Sequence, residues 1–209
     1  LVYNRINKKT FPLWNVFCYI EILFQNCFKM KKITILFIFL SIGVVSAQEI
    51  KWMSMNEALE AQAKNPKKIF IDMYTVWCGP CKMLDRNTFS NPDVIAFINK
   101  NFYAVKFNAE GNEVVNYKGK VYQNPTYDPA KAKKRNSAHQ FSRFMGVNAY
   151  PTVLFIDESG NLINRVKGYR TPPQLEIYLK LFGTDLWKSI TTQEAYQEYL
   201  DNFTPQFKG

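Results

Sequence analysis

The chain has 209 residues, a length suited to one domain of ordinary size with terminal additions. At 47% hydrophobic and 21% charged it can bury a core, which excludes wholesale disorder, and nine glycines and ten prolines exclude collagen-like or low-complexity chains. Half of the net charge of +10 lies at one end: residues 1–47 hold six of the 27 basic and one of the 17 acidic side chains, leaving 21 against 16.

Met30-Lys31-Lys32 precede an apolar stretch of 13 residues, Ile33 to Val45, and then Ser46-Ala47-Gln48. A basic start, an apolar run shorter than the roughly 20 residues that span a bilayer, and a small-residue site ending at Ala47 read as a secretory signal peptide. An uncleaved N-terminal anchor is the alternative. No cysteine follows the run, so a bacterial lipid-attachment site is not expected. Residues 1–29 read as an upstream extension, with translation expected to begin at Met30. Cys18 and Cys27 would leave with that segment, so that Cys78 and Cys81 are the cysteines of the mature chain. Residues 48–209 are expected to form one domain, carrying an insertion near 109–137 and a helical extension near 184–209.

Ser54-Met55-Asn56-Glu57 has capping-box spacing and opens a short helix that Asn65-Pro66 stops. Ile69 to Tyr74 is a buried-strand run with one carboxylate, Asp72, out of place in it. Lys82 to Arg86 reads as a helix after Cys81, and Asn91-Pro92-Asp93 starts another with Val94, Ile95, Phe97 and Ile98 on its apolar face. Phe102 to Phe107 is the next strand. Residues 109–137 are polar and read as an excursion from the core, with a small hairpin at Tyr117-Lys118-Gly119-Lys120-Val121-Tyr122. Ala138 to Met145 is expected to be helical and to end at Gly146. Thr152 to Asp157 and Leu162 to Val166 flank a Gly160-Asn161 turn as a β-hairpin. Pro172 to Phe182 and Thr191 to Phe203 are the closing helices. Strands separated by helices, then a hairpin and a helix, predict an α/β sandwich around a mixed central sheet.

The chemistry concentrates at Trp77-Cys78-Gly79-Pro80-Cys81-Lys82. A Cys-x-x-Cys pair is either a redox couple or half of a zinc site. Structural zinc takes four ligands, and the mature chain adds one histidine, His139, distant in sequence, so no metal is expected. An inert staple is a poor use of so small a loop, because little chain entropy is removed. A redox pair needs a thiolate that is both formed and exposed. Placing Cys78 at the first turn of a helix stabilises the anion through unpaired N–H groups and the helix dipole. Cys81, one turn on, can then attack a mixed disulfide at Cys78. Pro80 suits a first turn, and Gly79 leaves the approach uncluttered.

Asp72 through Lys82, with Trp-Cys-Gly-Pro-Cys-Lys intact, resembles the active-site segment of the thioredoxin superfamily. Asp72, six residues before Cys78, stands at the family's buried-aspartate position, and Tyr150-Pro151-Thr152 resembles its cis-proline loop. Lys106 matches the lysine beside the buried acid, and Gly168 follows the last strand. The resemblance covers roughly residues 52–182. It implies a thioredoxin-like three-layer sandwich with an insertion before the cis-proline loop. It further implies Cys78 as nucleophile, Cys81 as resolving thiol, Asp72 as proton carrier for Cys81, and cis-Pro151 against the cysteines. Trp77, Gly79, Pro80 and Tyr150 would meet the client, and Lys106 would support Asp72. Two departures stand out. The usual proline one turn into the active-site helix is absent, with Arg86 near its place, and 72 residues separate Cys78 from Pro151, more than a minimal member has. Thr88-Phe89-Ser90-Asn91-Pro92-Asp93 resembles secreted relatives and the C-terminal domains of membrane thiol-transfer proteins.

The leading expectation is an extracytoplasmic, periplasmic thiol–disulfide oxidoreductase that reduces client proteins. It would be kept reduced by a membrane thiol donor, act as a monomer, and use no cofactor beyond the Cys78–Cys81 disulfide. A disulfide oxidase or isomerase is an alternative, as is a non-catalytic binding module. The module would use the basic cluster Lys131, Lys133, Lys134 and Arg135 with Tyr117, Tyr122 and Tyr127. No nucleic acid is expected from so short a charge run.

Overall fold

The computed structural model describes residues 49–209. The apolar stretch 33–45, the site at Ala47, Cys18 and Cys27 lie outside the described residues.

Five strands form one mixed sheet: β1 (Trp52–Met53), β2 (Lys68–Tyr74), β3 (Phe102–Asn108), β6 (Thr152–Ile156) and β7 (Leu162–Lys167), in the order β1-β3-β2-β6-β7. β1, β3 and β2 run parallel; β6 is antiparallel to β2, and β7 to β6. The central strand β2 is apolar nearly throughout because both of its faces are covered. Edge strand β1 is too short to leave a periodic signal, and the sequence does not reveal it.

Strand alternation divides the interior in two. Ile69, Ile71, Met73, Val105, Phe107 and Leu154 face helices α1 (Met55–Lys64) and α4 (Gln140–Phe144). Phe70, Ala104 and Phe155 face α2 (Gly79–Asn87), α3 (Pro92–Asn101) and α5 (Pro172–Gly183), which contribute Leu84, Val94, Ile98, Leu175 and Leu179. The same period places Asp72 on the face of Phe70, and Lys106 on the face of Ala104. Both therefore lie on the α2 side of the sheet.

The helix starts follow their local chemistry. Glu57 N–H donates to Ser54 Oγ at 3.3 Å, and Glu57 Oε2 accepts from Ser54 N–H at 2.7 Å, closing the capping box of α1. Asn91 Oδ1 accepts from the N–H groups of Asp93 and Val94 at 3.0 and 3.2 Å, with Pro92 opening α3.

The segment read as an excursion from the core is mostly exposed from Pro125 to Arg135, but its first part sends side chains into the core. Strands β4 (Val115–Tyr117) and β5 (Lys120–Tyr122) make the expected hairpin, turned by Lys118 at φ 50° and Gly119 at φ 75°, the paired positive values of a type I′ turn. Its alternate residues Val115, Tyr117 and Tyr122 bury against Phe141, so a polar-looking stretch packs through one face only. His139 is fully buried and caps α4: its Nδ1 accepts from Phe141 N–H at 3.0 Å, while Nε2 meets the Glu113 carbonyl at 2.7 Å.

Helix α6 (Gln193–Asn202) and the residues after it lie along α5. Tyr199 OH donates to the Ile177 carbonyl at 3.0 Å, and the buried Glu176 Oε2 accepts from the N–H groups of Gln206 and Phe207, both at 2.7 Å. Among the described residues no helix is long and apolar enough to cross a membrane.

Candidate active site

The turn after β2 delivers Cys78 to the N-cap of α2, with Gly79 and Pro80 as its first helical residues. Cys78 Sγ accepts from the Cys81 N–H at 3.1 Å, and Cys78 and Cys81 are joined as a disulfide. That geometry aims an otherwise unpaired helix-end donor at the sulfur, where it stabilises negative charge. In this oxidised form Cys78 is only 3% exposed and Cys81 2%, so the expectation of an exposed thiolate is not met here. Gly79 and Pro80 remain exposed, and among the described residues nothing lies within 4 Å of where a Gly79 side chain would begin.

Asp72 sits beneath α2, 1% exposed. Its register partner across the parallel pair is Lys106, whose Nζ donates to Asp72 Oδ2 at 2.9 Å. Asp72 Oδ1 is buried without a hydrogen-bond partner among the described residues. Burial pushes the Asp72 carboxyl up to about 6 against the pull of Lys106, with Asp85 adding a smaller push upward. Burial draws Lys106 down, but the Asp72 and Asp85 carboxylates outweigh it and leave the amine above its ordinary value. Lys106 also lies over the rings of Trp52, Tyr74 and Phe89 at 5.1, 5.1 and 5.6 Å, a cage that favours the charged amine.

Lys106 makes a second ion pair, with Asp85 on α2. Asp85 stands four residues after Cys81, one helical turn on, so the lysine ties the buried acid to the helix that carries the cysteines. The sequence analysis did not single out Asp85, whose partner lies 21 positions away.

The Tyr150–Pro151 peptide is cis, and the Pro151 carbonyl accepts from Gly168 N–H at 2.8 Å, joining this loop to the end of β7. Tyr150 meets the Trp77 ring edge-on at 6.1 Å, so the proline loop and the cysteine turn are neighbours. Burial raises the Tyr150 phenol. Trp77 is held from its other end: its Nε1 donates to the buried Glu110 Oε2 at 2.7 Å, and the Arg135 guanidinium lies over its ring at 4.1 Å. Neither residue was expected at the site. Both come from the insertion, 33 and 58 positions along the chain; Arg135 was noted only as part of the basic cluster, and Glu110 not at all.

Where the departed proline would stand, α2 ends instead. Thr88, fully buried, donates its hydroxyl to the Arg170 carbonyl at 2.6 Å, which anchors the break between α2 and α3.

Residues 55–183 match the family described as thioredoxin-like domain. The chain is 31% identical over 121 residues to the thiol:disulfide interchange protein DsbD of Cronobacter sakazakii, a match covering 57% of this chain and 17% of that protein. It is 27% identical over 114 residues to the thiol-disulfide oxidoreductase ResA of Bacillus thuringiensis, covering 54% of this chain and 62% of ResA. The chain thus spans under two thirds of ResA and less than a fifth of DsbD. Among solved structures, a thioredoxin-fold protein from Helicobacter pylori superposes with a TM-score of 0.50 at 15% identity, covering 73% of this chain and 86% of that one, which speaks for the fold alone. With the family match extending over well over half of its length, the chain belongs to the thioredoxin-like proteins.

Proposed function

We propose that this protein is an extracytoplasmic thiol–disulfide oxidoreductase that reduces disulfides of client proteins. The observation that carries the reading is Cys78 Sγ at the cap of α2, bonded to Cys81 and receiving its N–H. The named activities of DsbD and ResA support the same chemistry. The N-terminal apolar stretch supports export, and the domain is taken to begin after Ala47.

In the reduced protein the Cys78 thiolate attacks a client disulfide, forming a Cys78–client bond and releasing one client thiolate. Cys81, deprotonated, then attacks Cys78 Sγ. The second client sulfur leaves and the Cys78–Cys81 disulfide closes. Two electrons pass to the client, whose two thiolates take up two protons. Asp72, with a free Oδ1 and a carboxyl near 6, is suited to accept the Cys81 proton in that second step. Lys106 supports its charge. Trp77, Tyr150 and Pro151 frame the surface over which the client lies, beside Gly79 and Pro80. A dithiol donor protein at the membrane returns the two electrons, completing the cycle.

Turnover of a disulfide substrate by the wild-type protein and by Cys78→Ser tests the reading. Loss of turnover in the variant is expected, and equal rates overturn the enzymatic role. The direction is tested by the reduction potential of the Cys78–Cys81 couple. A value nearer about −270 mV supports reduction of clients, and one near about −120 mV overturns it.

A further inference from the structure

The insertion does more than lengthen the chain. Asn124 Nδ2 donates to the carbonyls of Gly111 and Ser137 at 2.9 and 2.8 Å, and Asn136 exchanges hydrogen bonds with the Asp128 backbone at 3.0 and 2.8 Å. Residues 124–137 are thereby tied at their base into a closed arm. Asn136 N–H donates to Glu110 Oε2 at 2.9 Å, the same oxygen that receives Trp77 Nε1. The carboxylate that positions the tryptophan beside Cys78 thus also pins the residue next to Arg135. Arg135 is exposed, lies over Trp77, and makes no hydrogen bond or ion pair among the described residues. Its guanidinium is held in place by stacking while its donors stay free.

Other exposed basic side chains are carried by the arm and by α2. Lys133 and Lys134 are exposed on the arm, and Lys82 is exposed on α2 just after Cys81. The arm's one acid, Asp128, pairs with Lys131 at 3.3 Å, and Glu110 is buried under its two donors. A chain that brings its disulfide to Cys78 over Trp77 therefore meets a preset, unpaired cation.

From this we infer that Arg135 selects clients, and that the preferred client carries Asp or Glu beside the cysteine that is attacked. The inference rests on the exchange reading above and adds to it the kind of partner. A fixed planar guanidinium is matched by a carboxylate through paired hydrogen bonds, and the ordering cost of the side chain is already met in the free protein. Lysines elsewhere on the arm have no such support. They steer approach without fixing a register.

Two disulfide-linked peptides test it, identical except that Asp or Lys flanks each cysteine, with an uncharged aromatic disulfide alongside. The full chain, kept reduced by a chemical dithiol, should use the Asp peptide about fivefold better in kcat/KM at low ionic strength, the size of one partly exposed ion pair, and salt should erase the difference. Arg135→Glu should invert the ratio and Arg135→Gln should bring it close to one. Arg135→Lys, which keeps the charge and loses the stacked plane, should fall between Arg135→Gln and wild type. Lys133→Gln combined with Lys134→Gln should move the ratio less than Arg135→Gln alone. An equal movement makes the preference a matter of net charge and overturns the assignment to Arg135. Turnover with a ratio that Arg135→Glu leaves untouched overturns the arm's role and spares the exchange reading. No turnover of any of the three disulfides overturns both.

Discussion

At the scale of single residues, the informative group is Asp72. A carboxylate in a strand interior costs stability unless it is paired or protonated, and this one is paired through one oxygen only. Because burial lifts its carboxyl from 3.8 to about 6, the folded chain holds the proton more tightly than the unfolded one. The resulting stabilisation is complete below about pH 4 and is lost as pH rises through about 6. By pH 8 the charged carboxylate costs about 3 kcal/mol relative to acid conditions. Asp72→Asn should therefore be more stable than wild type at pH 8, by about 2 kcal/mol, and should lose that advantage near pH 4. Lys106 retains Asp85 in the variant. Urea unfolding at the two pH values checks this, and a variant less stable at pH 8 would show that Lys106 needs Asp72 more than burial resists it. Lys106 was named beside Asp72 only through the family resemblance, and the parallel register of β2 and β3 is what places the two on one face. The third member, Asp85, is brought in by the docking of α2 on that face.

At the scale of elements, the insertion is built into the candidate site through Trp77. Glu110 is its joint, with one carboxylate oxygen holding both Trp77 Nε1 and Asn136 N–H in a place nearly closed to water. Glu110→Leu leaves two part-buried donors without an acceptor and should cost about 2 kcal/mol, whereas Glu110→Gln keeps an oxygen for them and should cost about 1 kcal/mol. Chemical denaturation ranks the two. Near-UV circular dichroism of Trp77 should change more in the leucine variant than in the glutamine variant. The hairpin inside the insertion was readable from Lys118-Gly119, since a two-residue turn with both φ positive favours glycine. The burial of Val115, Tyr117 and Tyr122 was hidden, because only alternate residues of short strands carry the apolar signal.

At the scale of the whole molecule, the C-terminal extension closes over the helical layer next to α5. Glu176 is fully buried, and its charge is met by Lys180 at 2.7 Å and by two backbone donors at 2.7 Å from the last residues of the chain. Phe207 adds a ring contact with Phe97 on α3 at 6.1 Å. Removing residues 205–209 takes away both donors and that ring, and should lower stability by about 2 kcal/mol. Glu176→Gln should restore part of the loss in the shortened chain, since a neutral side chain is cheaper to leave without those donors. Thermal unfolding of the full, shortened, and shortened Glu176→Gln chains gives the comparison.

Sequence alone determined what is local: the strand and helix periods, the Ser54 and Asn91 caps and the Cys78–Cys81 spacing. Each follows from chemistry acting over a few residues or from the two-residue repeat of a strand. Tertiary structure alone decided what surrounds the sulfurs. Glu110, Arg135 and Asp85 meet Trp77 and Lys106 because distant segments pack together, and an electrostatic or stacking contact across 21 to 58 positions leaves no mark on the pattern of its neighbours.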